Sequence, residues 1–167
     1  MHNVFNNFFY LLILLISIIS CTNNSYEKEN NEHFSFQGNT LFGEEYKSSE
    51  FLGKPMIINF WFPSCPPCTV ELESLEKSYQ EYKDSIEFLG IMQLGLDNEN
   101  DGKKFLSKKN ISFKSISDYD NLTTKFDVKY FPTTIFLDSN HNVVDTWIGI
   151  IDENDITLKL SDLELIK

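Results

Sequence analysis

Phe8 to Ile19 is an almost unbroken apolar run, Phe-Phe-Tyr-Leu-Leu-Ile-Leu-Leu-Ile-Ser-Ile-Ile. About twelve residues is the size of a signal-peptide core and short for a bilayer span. Thr22 to Glu32 is polar, with Tyr26 its only sizeable apolar side chain. Such a stretch cannot bury enough surface to fold alone, and reads as a flexible tether. From His33 onward apolar positions recur with the periods of folded structure. The chain therefore divides into a leader over 1–20, a tether over 21–32 and one domain over 33–167.

Within the domain, Phe34-Ser35-Phe36 alternates as a short strand does. Gly38-Asn39 signals a turn, and Thr40-Leu41-Phe42 would return as the second strand of a hairpin. Ser48 to Leu52 reads as a helical turn ended by Gly53. Met56 to Phe60 is continuously apolar, as in a central strand covered on both faces. Leu72, Leu75, Tyr79 and Tyr82 then recur at helical spacing, giving a helix from about Pro66 to Tyr82. Ile86 to Met92 is the next strand, Asp97 to Gly102 a polar loop and Lys103 to Lys109 a helix with Phe105 and Leu106 facing inward. Ile111 to Ile116 reads as a strand and Leu122 to Phe126 as a short helix. A strand follows Pro132, Ser139 to Asn142 turn the chain, and Val143 to Ile148 return. Asp152 can cap a last helix running through Ile166. Early crossovers require parallel pairing and the late turn requires antiparallel pairing. The expected fold is α/β, a mixed sheet with helices on both faces and an N-terminal β-hairpin.

Charge narrows the function. The 167-residue chain carries a formal net charge of -11, and all its basic residues are Lys. An acidic surface without an Arg-rich patch argues against nucleic acid as a partner. Lys103, Lys104, Lys108 and Lys109 have the spacing of one solvated helix face.

The chain has 3 cysteines. Cys65 and Cys68 are two residues apart, after an apolar strand and at the start of a helix. Two thiols so placed can close a small disulfide ring and reopen it. The helix N-terminus favours thiolate, the species that attacks a disulfide. Pro66 and Pro67 both lack an N–H, so a Cys65 thiolate depends mainly on the Cys68 N–H and the wider dipole. That predicts a modest fall in thiol pKa and a reducing pair. Other readings of the pair are a zinc site, for which a second Cys-x-x-Cys is missing, and a fixed structural disulfide. His33 and His141 read as isolated surface or turn residues.

Ile18-Ile19-Ser20-Cys21 resembles the lipobox of bacterial lipoproteins, which implies cleavage before Cys21 and lipid on its thiol. Met1 to Asn7 departs from that pattern in lacking Lys and Arg. From Phe34 onward the chain resembles the thioredoxin superfamily, and within it the TlpA/ResA-like membrane-anchored branch. The resemblance rests on Asn59-Phe60-Trp61 leading into Cys65-Pro66-Pro67-Cys68, on Glu71 three residues later, and on Phe131-Pro132-Thr133 before a strand and hairpin. It implies Cys65 as attacking thiol, Cys68 as resolving thiol, a cis Pro132 beside them and Glu71 in proton handling. Trp61, Pro66, Pro67, Phe131 and Thr133 are the expected substrate contacts. Asn59 stands where classical thioredoxins carry a buried acid. Ser64 replaces the usual Trp before the first cysteine, and Glu73 replaces a helix-bending proline.

The implied activity is that of an extracytoplasmic protein-disulfide oxidoreductase, without a cofactor or metal, monomeric and lipid-anchored in the cell envelope. It would reduce disulfides of proteins such as apocytochrome c and be recharged by a membrane thiol donor. The alternatives are a disulfide-forming oxidant and a tethered binding module whose cysteines are incidental. A peroxidase of the peroxiredoxin kind fits poorly, because Pro63-Ser64 stand where that family expects a threonine.

Overall fold

The computed structural model describes residues 34–166. The leader, the tether with Cys21, and His33 lie outside the described residues. Two short strands, β1 (Gln37–Asn39) and β2 (Glu45–Lys47), pair antiparallel. They are followed by a 3-10 turn over Ser48–Phe51. Then come β3 (Met56–Trp61), α1 (Pro66–Tyr82), β4 (Glu87–Met92), α2 (Glu99–Lys109), β5 (Lys114–Ser117), α3 (Leu122–Lys125), β6 (Thr133–Leu137), β7 (Val143–Ile148) and α4 (Glu153–Asp162). The main sheet has the order β5-β4-β3-β6-β7. β3, β4 and β5 run parallel, and β6 and β7 pair antiparallel to their neighbours. The expected mixed sheet is therefore present, with β3 at its centre.

Every residue of β3 and β4 is buried. Alternation along the strands divides them between two cores. Ile57, Trp61, Phe88 and Met92 face Leu72 and Leu75 of α1, Leu106 of α2, and Ile156 and Leu160 of α4. Met56, Ile58, Phe60, Leu89 and Ile91 face Phe36, Tyr46, Leu122 and Phe126. Three helices thus cover one face, and the hairpin with the short α3 covers the other.

The hairpin lies a few residues later than the sequence pattern suggests. Its turn is at Thr40–Glu44, where Gly43 takes the left-handed φ of 91° and donates its N–H to Thr40 O at 2.9 Å. Leu41 is pulled off the strand into the core, with its N–H donated to Ser115 O at 2.7 Å. The second helix starts at Glu99, four residues before the expected Lys103. Asn98 caps it: its side chain accepts from the N–H groups of Asn100 and Asp101, and Asp101 accepts from the Asn98 N–H. This reciprocal cap makes a helix start out of a stretch whose polarity reads as loop. The last helix stops at Asp162, short of Ile166. Glu164 takes a φ of 54°, and the Leu165 N–H reaches back to Leu160 O at 2.9 Å. The chain then folds Leu163, Leu165 and Ile166 onto the core, which one straight helix could not do.

Candidate active site

β3 delivers the chain to a turn at the C-terminal end of the sheet, where the Cys65 N–H donates to Phe62 O at 3.1 Å. Cys65 is the N-cap of α1, with Pro66 and Pro67 as its first two residues. Proline suits these positions because their N–H groups have no intrahelical partner. Cys65 and Cys68 form a disulfide, with Cα atoms 5.3 Å apart. The Cys68 N–H donates to Cys65 Sγ at 3.3 Å, the direct backbone support that the two prolines leave. Both cysteines are buried, Cys65 keeping 4% exposure and Cys68 none.

Glu71 lies one turn along α1 from Cys68 and is fully buried. Thr134 on β6 donates its hydroxyl to Glu71 Oε1 at 2.9 Å and accepts from Asn59 Nδ2 at 3.0 Å. Register explains the meeting, since Asn59 and Thr134 are paired across β3 and β6. Burial pushes the Glu71 carboxyl up to about 7, against the opposing hydrogen bonds from Thr134, Asn59 and the Ile151 backbone. Glu71 Oε2 and Asn59 Oδ1 are buried without a hydrogen-bond partner. Both are acceptors, so a proton on Glu71 Oε2 relieves part of their desolvation.

The Phe131–Pro132 peptide bond is cis. The loop holding it meets the cysteine turn through Phe62 and Phe131, whose rings are 5.3 Å apart and nearly perpendicular. Behind Pro132, the Thr133 hydroxyl donates to Tyr130 O at 2.8 Å, and the Gly149 N–H donates to Pro132 O at 2.9 Å. Pro66 is exposed, while Pro67 and Phe131 are half-buried.

Two expected substrate contacts are placed otherwise. Trp61 is 0% exposed; its Nε1–H donates to Ser115 Oγ at 3.1 Å and its ring packs on Phe105. It forms the wall behind the site because the last inward position of β3 demands a large apolar group. Thr133 is also buried, and its hydroxyl ties down the loop. His141 is a buried turn residue with a φ of 61°, not a surface one.

Two polar residues at the site were not singled out from the sequence. Thr134 carried a faint signal, since alternation along β6 turns it toward α1. Asp97 carried none. It lies 33 residues from Ser64, yet its Oδ2 accepts both the Ser64 N–H at 2.9 Å and the Ser64 hydroxyl at 2.7 Å. Among the described residues no group of three or more His, Cys, Asp or Glu could hold a metal ion, and no helix is long and apolar enough to cross a membrane.

Fold and site together define a thiol–disulfide oxidoreductase of thioredoxin-like fold. The chain belongs to the AhpC/TSA family, whose model matches residues 30–146. It is 26% identical over 159 residues to the thioredoxin-like protein YneN of Bacillus subtilis, covering 89% of this chain and 94% of that protein. It is 30% identical over 129 residues to the thiol-disulfide oxidoreductase ResA of Halalkalibacterium halodurans, covering 76% of this chain and 70% of ResA. Among solved structures, MTB dsbF in its mixed oxidized and reduced forms superposes with a TM-score of 0.69 at 27% identity, over 77% of this chain and 94% of that one.

Proposed function

We propose that the protein reduces disulfides of extracytoplasmic proteins, apocytochrome c among them, while held to a membrane by lipid on Cys21. The observation that carries the chemistry is the Cys65–Cys68 disulfide at the start of α1, its first cysteine slightly exposed and its second fully buried, with a buried carboxyl one turn below. The reduced Cys65 thiolate attacks one sulfur of the substrate disulfide. A bond forms between Cys65 and that sulfur, and the other substrate sulfur leaves as thiolate and takes a proton. Cys68 then loses its proton and attacks the Cys65 sulfur. The Cys65–Cys68 disulfide closes, the second substrate sulfur leaves, and two electrons have passed to the substrate.

Cys68 has no exposed surface, so its proton needs an internal acceptor. Glu71, with its carboxyl near neutrality, is that acceptor. Pro66, Pro67 and Phe131 form the rim that a substrate polypeptide meets, and the loop of Pro132 offers it a backbone edge. A membrane thiol donor restores the dithiol. The relationship to ResA supports this reading, as does the scarcity of backbone donors around Cys65.

Two variants test it. Cys65→Ser abolishes reduction of a protein disulfide such as insulin's. Cys68→Ser accumulates a mixed disulfide that dithiothreitol releases. Wild-type rates from Cys65→Ser would take the attacking role from Cys65, and a wild-type protein that reduces no disulfide would move the function to a tethered binding module.

A further inference from the structure

Ser64, the residue immediately before the attacking thiol, gives both of its donors to one oxygen of Asp97. Asp97 belongs to the loop between β4 and α2, which also donates the Gln93 N–H to Trp61 O at 2.9 Å and packs Leu94 on the core cluster that holds both cysteines. The loop is stiffened from within, since the Gly95 N–H donates to Asp97 O at 3.3 Å. A side-chain hydroxyl and a backbone N–H on one carboxylate oxygen fix that oxygen in place. They hold a formal negative charge one residue from Cys65.

We propose that Asp97 is a positioning residue that anchors the cysteine turn through Ser64 and makes the dithiol more reducing by disfavouring the Cys65 thiolate. This rests on the reading of Cys65 as the attacking thiol. A like charge near an acid raises the cost of ionising it. The thiolate belongs to the reduced form alone, so the penalty falls on that form and favours the disulfide. The neighbourhood offers little to offset it. Two of the nearest backbone donors are replaced by Pro66 and Pro67, leaving the Cys68 N–H. The carboxyl facing the pair from α1 is Glu71, which adds no positive charge. No ion pair among the described residues involves Asp97 or Glu71: the seven pairs lie on Glu45, Glu87, Glu153, Glu73, Glu44, Asp127 and Asp145. The Ser64 hydroxyl adds a second donor to the one its backbone N–H supplies.

The test is the equilibrium constant of the Cys65–Cys68 pair with glutathione, with the pH profile of Cys65 alkylation beside it. Asp97→Asn keeps an acceptor for Ser64 and removes the charge. It is expected to lower the alkylation pKa by roughly half a unit and, at a pH well above that pKa where the reduced Cys65 is thiolate, to shift the equilibrium toward the dithiol by about threefold. Ser64→Ala keeps the charge and frees the carboxylate to turn away. It should shift both readouts the same way by less, and add nothing when combined with Asp97→Asn. Asp84→Asn, which removes the same charge beyond the far end of α1, should move neither. Added salt should shift the wild type toward the dithiol and leave Asp97→Asn flat, a readout that does not depend on any variant's stability. Asp97→Asn coinciding with wild type, or moving toward the disulfide, overturns the inference and leaves the proposed function standing. A wild-type pair that never exchanges with glutathione overturns both.

Discussion

Glu71 is a carboxyl group that folding removes from water. Its ordinary pKa of 4.5 rises to about 7 in the disulfide form because burial penalises the charged state. Between those values the folded chain holds a proton that the unfolded chain has released. Stability therefore falls as pH rises through that window, and the loss is complete above about 7. The difference corresponds to roughly 3 kcal/mol. Glu71→Gln removes this titration, so urea unfolding of the oxidised variant should lose less stability than wild type between pH 5 and pH 8. The same change removes the base for Cys68. Turnover should fall by about a hundredfold and lose its rise near pH 7. A variant that keeps both the rate and the pH profile would take proton handling away from Glu71. The motif with Glu71 was legible in the sequence. Its partner Thr134 was much less so, because a threonine in a strand reads as packing until strand register places it opposite Asn59.

At the level of elements, β3 and α1 were legible almost to the residue. A buried parallel strand has no polar positions to blur its ends, and a Cys-Pro-Pro-Cys start fixes a helix N-terminus. The hairpin, the start of α2 and the end of α4 were displaced from expectation. Each of those ends is set by a hydrogen bond that spacing does not reveal: the Gly43 turn, the Asn98–Asp101 cap and the Leu165 reach-back. One close approach inside the sheet gives a test. A Cβ on Gly90 would come within 2.8 Å of Trp61 Nε1 and collide with Ser115 Oγ, whose hydrogen bond fixes the indole behind the cysteines. Gly90→Ala should cost about 1–3 kcal/mol in chemical denaturation, as overpacking does. Unchanged stability would mean that the Trp61 wall repacks freely.

For the whole molecule, the folded redox domain is proposed to follow a leader and tether that lie outside the described residues. The lipid attachment proposed at Cys21 gives a separable prediction. Cys21→Ser should move the protein from the detergent phase to the aqueous phase, while the purified domain keeps its rate on a soluble disulfide substrate. Retention in the detergent phase would assign attachment to the apolar leader instead. The thioredoxin-like class was legible because its chemistry is local in sequence. The Asp97–Ser64 contact was not, because it joins two loops that the parallel β3–α1–β4 crossover brings side by side.

Whether this dithiol acts as a reductant is decided by the equilibrium reduction potential of the Cys65–Cys68 pair. Thiol trapping in defined redox buffers should give a value near or below about -250 mV, close to thioredoxin's. A value near about -120 mV, as in DsbA, would make the protein an oxidant and contradict the account of its two prolines and buried carboxyl.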